Sequence, residues 1–395
     1  MLVSSSLGTA DSSLAAFRQA WSEAVASLEG EPQVALVFLS GPDAEDRADE
    51  ILESAVANGH RVPVFGGVVD AVIGRGREIE KGAAASVLLL GGMGAHPQIA
   101  VLECHETPDG WSVFGLDESM HRRAAEAGGL LVVACPKSFS AEMLDQSLET
   151  MRAEGDAMVN VLGGNLSRMS TDRNSVLFAG DRIADQGAVA MAVPPGLRWS
   201  TVVSQGCRPI GEPMVITEVR GQRIFKLGGK PALDRLTDMY YQLPSHERQM
   251  AMNMLLMGRA ISEYSETFSH GEFLIRNITS VEINNKSIVV ADRVRAGQTV
   301  RFHLVDATAA DGDMRQLLSR ARKDGVQPVA ACLFTCNGRG ERLFGQPDHD
   351  AQVVEQLFPG LPTAGFFAAG EFGPVAGSNL IHGFTAVIAL LCEDA

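Results

Sequence analysis

No stretch of this chain concentrates lysine and arginine, and the formal net charge is -15 over 395 residues. Nucleic acid and anionic membrane surfaces are therefore excluded as main partners, because both would be repelled. Long apolar runs are missing as well. The longest near the start, "VALVFLSG", is far too short to cross a bilayer. The opening "MLVSSSLGTADSS" has neither a basic n-region nor an apolar h-region, so a leader is not expected and the expected location is cytoplasmic. Cys-x-x-Cys does not occur. The six cysteines, Cys104, Cys135, Cys207, Cys332, Cys336 and Cys392, fall mostly in apolar runs and read as buried, reduced thiols.

The common enzyme signatures are absent too. Gly91-Gly92-Met93-Gly94 follows a strand without continuing into GxGxxG, and "LGGKPAL" lacks both the upstream glycine and the hydroxyl residue of a P-loop. "HERQM" is not HExxH, no GxSxG elbow exists, and the nine histidines show no metal-ligand spacing. No catalytic residue and no metal site is assigned.

What remains is a globular composition, 46% hydrophobic and 21% charged, in which one pattern occurs three times. An apolar strand leads to an amphipathic helix, then a short strand ending at glycine, a loop, and a last strand introduced by glycine. The copies begin "QVALVFLSG", "LLVVACP" and "PVAACLFTCNGRG"; their second strands end at Gly66, Gly163 and Gly365. Their last strands follow Gly82, Gly187 and Gly383. Uninterrupted Val/Leu/Ala runs are how strands buried on both faces read, and Asp43, Ser140 and Asp348 stand at the expected helix starts. The fold class is α/β: three strand-helix-strand units forming mostly buried sheets. Between the second and third lies a β-rich insertion, roughly 199 to 306, with turn signals between its strands. Its "INNKSIVV" reads as a hairpin turning on Asn284 and Asn285, and "SHERQMAMNMLLMGRAISEYSE" as one Met-rich helix filling core.

Polar residues that look placed cluster at strand ends, where open α/β sheets bind ligands. The third unit delivers Cys336, Asn337 and Arg339 from one strand and Glu371 from the next. Arg339 and Glu371 would either pair with each other or recognise the carboxylate and ammonium of one small zwitterion. The second unit supplies Asn165, Ser167 and Arg168, and the first Asp70 and Arg77. In the insertion, Arg276 interrupts an apolar strand, His303 alternates with Phe302 and Leu304 as a core histidine would, and Asp306 follows. The expected ligand site is Asn337, Arg339 and Glu371, with Cys336, Asn165 and Arg276 as further members.

"LFTCNGRGERLFG", "PTAGFFAAGEFGP" and "HGFTAVIAL" resemble the C-terminal half of the FIST family, as do "RIFKLGGKPAL", "GEFLIRNITSVE" and "VRAGQTVRFHLVDATAA". "VPVFGGVVDAVIGRGREIEKGAAASVLLL" resembles its N-terminal half. There the family often carries a Gly-Cys-Ser-type turn; this chain has Gly66-Gly67-Val68, so no role tied to that cysteine or serine carries over. The resemblance implies an N-terminal domain over 1–220 and a C-terminal domain over 221–395. It also implies an intracellular sensor of small ligands, with amino acids proposed, that signals to a separate protein. No cofactor is expected; the alternative is the haem of nitric-oxide-sensing relatives, for which His303 or His382 would be the axial ligand. Two further alternatives stay open: an enzyme with Glu371 as general acid or base, and a protein-interaction module like the family's F-box relatives.

Overall fold

Continuous Val/Leu/Ala segments form the strands on which the fold is built. Pro32–Ser40, Leu130–Ala134 and Pro328–Cys336 are central strands, each buried along nearly its whole length. Each pairs in parallel with a shorter strand, Val64–Val68, Val161–Asn165 and Thr363–Ala368 respectively. On its other side each pairs antiparallel with the strand that closes its segment: Ala83–Gly91, Ala188–Ala192 and Thr385–Glu393. The computed structural model describes residues 1–107, 110–152, 157–168, 175–261 and 271–394.

The chain divides into two compact units. One comprises 1–203, 314–381 and 385–395; the other comprises 204–313 and 382–384. The first holds the three sheets just described, and they are tied by a cyclic exchange of strands. Past Val64–Val68 the chain leaves its own sheet, and Val72–Gly74 pairs with Thr363–Ala368. Past Thr363–Ala368, Glu371–Val375 pairs with Val161–Asn165. Past Val161–Asn165, Leu177–Gly180 pairs with Val64–Val68. No single sheet is complete without a neighbour's strand.

Gly66, Gly163 and Gly365 occupy one position in the three pairings, opposite Val37, Val132 and Leu333. At each, a Cβ would lie 1.9 Å from the facing carbonyl oxygen, so only glycine lets the parallel strands approach this closely. The sequence suggested that these strands end at the glycines; they run on past them, to Val68, Asn165 and Ala368. Inside, Phe38, Phe334 and Phe366 meet with ring centroids 4.9–6.4 Å apart, and all three are fully buried.

In the second unit six antiparallel strands close on themselves. Cys207–Arg220 pairs with Thr299–Val305, followed in order by Leu255–Ala260, Phe273–Glu282, Ser287–Val290 and Arg223–Leu227. The last of these returns to Cys207–Arg220.

Two local readings need correction here. The Met-rich segment is a helix only over Ser245–Asn253, and Leu255–Ala260 is a strand between two others. Gly258 decides this: a Cβ there would meet the His303 ring at 2.4 Å, so the backbone lies flat against its neighbour. The segment's end, 262–266, lies outside the described residues. The hairpin after Glu282 does turn at 283–286, but Lys286 carries the positive φ, at 52°. Asn285 instead accepts hydrogen bonds from the Ser287 N–H and hydroxyl.

Candidate functional site

The strand Pro328–Cys336 ends in a tight turn. The Arg339 N–H donates to the Cys336 carbonyl at 2.9 Å, and the Asn337 N–H to that of Ala368 at 2.9 Å. Gly340 follows with φ 65°, and a Cβ there would strike the Glu80 carboxylate. The turn folds the Arg339 side chain inward, to complete burial. Helix His349–Leu357 then brings Asp350 beneath it.

Arg339 and Asp350 form a two-pronged pair, Nε to Oδ2 at 2.7 Å and Nη2 to Oδ1 at 2.8 Å, both side chains wholly buried. The Thr335 hydroxyl donates to Asp350 Oδ2 at 3.2 Å, and His349 Nδ1 lies 2.9 Å from Oδ1. Phe344 stacks on the His349 ring, with centroids 3.4 Å apart, and also faces the guanidinium at 5.2 Å. Burial alone would push the Asp350 carboxyl up, but the Arg339 charge and the hydrogen bonds around it hold it well below the usual carboxylate range.

Two more carboxyls enter this cluster from other strands. Glu78 comes from the exchanged hairpin strand Arg77–Ile79; its Oε1 accepts from the Ala351 N–H at 2.9 Å. Burial and then the nearby Asp350 charge push its carboxyl up to about 8. Glu371, fully buried, accepts a long hydrogen bond from the Thr385 N–H at 3.3 Å. Burial raises its pKa well above the ordinary range, and Thr385, Cys336 and the Arg339 charge offset this only in part. One guanidinium thus faces three buried carboxyls. Asp350 neutralises it, Glu78 at about 8 keeps its proton near neutral pH, and burial pushes Glu371 the same way.

Hydrogen bonding in the cluster is incomplete. Seven buried side-chain polar atoms lack a partner among the described residues, and three of them are Arg339 Nη1, Glu371 Oε1 and Glu78 Oε2. Buried polar groups are nearly always paired, so three such atoms in one cluster point to a further polar group that meets them.

The other residues expected at the site are spread out. Asn337 is exposed, and its Oδ1 lies 3.9 Å from Cys336 Sγ. Asn165 is buried, and its backbone exchanges hydrogen bonds with the turn that carries Glu371: N–H to the Gly370 carbonyl, carbonyl from the Ala369 N–H. Ser167 receives the Asp70 N–H, and Arg168 pairs with Glu45 at 3.1 Å. Arg276 belongs to the other unit, where it pairs with Asp292 at 3.5 Å. Asp306 opens the helix Ala307–Lys323 by accepting from the Thr308 and Ala309 N–H groups, and it binds Arg208.

His303 is 1% exposed, edge-on to Phe273 and pressed against Gly258, and His382 is 3% exposed. Among the described residues no group of three or more His, Cys, Asp or Glu side chains could hold a metal ion, and no helix is long and apolar enough to cross a membrane.

Sequence reasoning passed over Asp350, Glu78 and His349. Asp350 was masked by Asp348, which looked like the helix cap but is itself in the left-handed region and accepts from the Glu78 N–H. Glu78 adjoins Arg77, and neighbours on a strand face opposite ways, so only one of the two can point inward.

Family models match the chain as FIST N domain over residues 33–230 and FIST C domain over 232–374. Uncharacterized protein Rv0628c of Mycobacterium tuberculosis is 35% identical over 383 residues, 95% of this chain and 97% of that protein. Uncharacterized protein Mb0898c of Mycobacterium bovis is 36% identical over 369 residues, 93% of this chain and 92% of its own. The chain belongs to the FIST family, whose domains are generally associated with sensory roles in signal transduction.

Proposed function

We propose that the chain is a sensor whose small polar ligand, an amino acid or similar zwitterion, binds between Arg339 and Glu371. The observation that carries this reading is the set of unpartnered atoms: a guanidinium N–H and a carboxyl oxygen, both buried, in one electrostatic neighbourhood. Each unmade buried hydrogen bond costs about 1–3 kcal/mol, and a ligand carboxylate at Arg339 Nη1 with an ammonium at Glu371 Oε1 recovers both. Because both side chains are fully buried, entry requires the turn Asn337–Gly340 to move. Asn337 on that turn is exposed, so the movement reaches the surface, where a separate partner protein would read it. The net charge of -15 speaks for a partner other than nucleic acid or membrane, and the sequence for a cytoplasmic setting.

A thermal-shift screen against amino acids and small carboxylates tests the reading. A ligand at about 100 times its Kd adds roughly 2.7 kcal/mol. The isosteric Glu371→Gln should fold and lose the shift. A shift that survives this change refutes the site.

A second reading uses Glu371, its carboxyl pushed up by burial and lying beside Cys336, as a general acid. Turnover of the bound compound by wild type, lost in Glu371→Gln, would favour it.

A further inference from the structure

Of the three unpartnered atoms in the cluster, Arg339 Nη1 and Glu371 Oε1 each have a ligand group to meet, and Glu78 Oε2 has none. Glu78 reaches the cluster through the exchanged hairpin: Arg77–Ile79 pairs with Val72–Gly74, which pairs in turn with Thr363–Ala368. Two hydrogen bonds hold it in place. Its N–H donates to Asp348 Oδ1 at 2.6 Å, and its Oε1 accepts from the Ala351 N–H at 2.9 Å. The residue is 5% exposed, so bulk solvent offers Oε2 no partner.

The use made of Oε1 fixes what Oε2 offers. A carboxylic acid has one hydroxyl and one carbonyl oxygen, and the carbonyl oxygen is the better acceptor. Because Oε1 accepts, the hydroxyl of the acid form is at Oε2, a donor with no acceptor opposite it. Burial beside Asp350 keeps that form at neutral pH, with the carboxyl at about 8. Arg339 Nη1 is likewise a donor only. Both residues border Asp350, whose two oxygens are already taken by Arg339 Nε and Nη2, Thr335 and His349. Two donors left over in one buried cluster fit one group with two acceptor oxygens, and a carboxylate is such a group. Net charge plays no part in this selection, because Asp350 already neutralises Arg339 and a zwitterion adds none.

We propose that Glu78 is a specificity-determining residue of the ligand site, an inference that rests on the zwitterion reading of that site. The Glu78 hydroxyl at Oε2 donates to one oxygen of the ligand carboxylate and Arg339 Nη1 donates to the other.

Titration calorimetry of wild type and Glu78→Gln with glycine and the other standard amino acids at pH 7, 8 and 9 tests this. Glutamine keeps an oxygen for the Ala351 N–H and sets an amide N–H where Oε2 stood, so it donates at every pH. In wild type the donor is lost as Glu78 ionises. The ratio of wild-type to variant Kd should therefore be within a few-fold of one at pH 7 and rise about tenfold by pH 9. The other titratable and charged groups facing Glu78 are common to both proteins and cancel in the ratio. They are Asp348, His349 and Asp350 on one side, Arg339, Cys336 and Glu371 across the cluster, and Glu80, which accepts from the Glu341 N–H. A flat ratio, with binding still dependent on Glu371, overturns the role of Glu78 and leaves the zwitterion site standing. A ratio that falls with pH, or a variant that does not bind, overturns it too, since Glu78 would then be ionised to meet a cation. No saturable binding by any amino acid removes the site itself and this inference with it.

Discussion

Replacing Glu78 by glutamine removes a proton that the folded chain holds and the unfolded chain releases. The carboxyl sits at about 8 in the fold against an ordinary 4.5, because it is buried beside Asp350. Between those values the folded state binds more protons than the unfolded one, so stability falls as pH rises. The contribution is whole below about pH 4.5 and gone above about pH 8, at a slope near 1.4 kcal/mol per pH unit. Over the window that amounts to about 4–5 kcal/mol. Glutamine keeps an oxygen for the Ala351 N–H but cannot ionise. Wild type and Glu78→Gln should therefore be close to equal at pH 5, with the variant ahead by several kcal/mol at pH 8. Glu371 and the overall negative charge tilt both proteins alike and cancel in the difference. Asp350, held low, loses its contribution only in acid below this range. Urea unfolding from pH 5 to pH 8.5 reads the effect through Trp21 and Trp199, both buried in the first unit. Parallel pH profiles, or a variant less stable at pH 8, would falsify the protonated Glu78 and the charge balance built on it.

Asp350→Ala leaves the buried Arg339 charge uncompensated and should cost about 3–5 kcal/mol, measured by urea denaturation at neutral pH. A cost below about 1 kcal/mol would mean that Arg339 finds another partner or water. Gly163→Ala puts a Cβ 1.9 Å from the Val132 carbonyl at φ 140° and should cost about 3 kcal/mol or more, or yield no folded protein. Gly180→Ala, where no atom lies within 4 Å, should cost roughly 1 kcal/mol from its φ of 76° alone. Similar melting temperatures for the two variants would refute the close-approach argument.

The strands were legible because their burial is written locally. "LLVVA" and "ALVFL" are apolar at every position, and no exposed strand reads that way. Ser140 announced its helix, and its hydroxyl does accept from Met143. Glu371 stood out as a lone carboxylate among glycine and phenylalanine, and it is buried. Its companions were hidden by their surroundings: Glu78 lies in the charge-rich "GREIEK", where any carboxylate looks solvated. The Arg339–Asp350 pair was hidden because both helix-start aspartates fit the polar edge equally well. The Met-rich strand was misread because Leu255, Leu256 and Met257 suit a helix core or a strand core alike. The cyclic exchange of strands joins residues up to about 300 apart, such as Ile73 and Gly365, and leaves no local trace in the chain.

The central claim is that Glu371 and Arg339 take a zwitterion, and titration calorimetry with the standard amino acids in two buffers of different ionisation enthalpy tests it most directly. Burial pushes the Glu371 carboxyl up and an ammonium beside it would pull it down. Binding of at least one amino acid should therefore be accompanied by proton release, and Glu371→Gln should abolish both the binding and the release. Binding without proton release, binding that persists in Glu371→Gln, or no binding by any amino acid would contradict it.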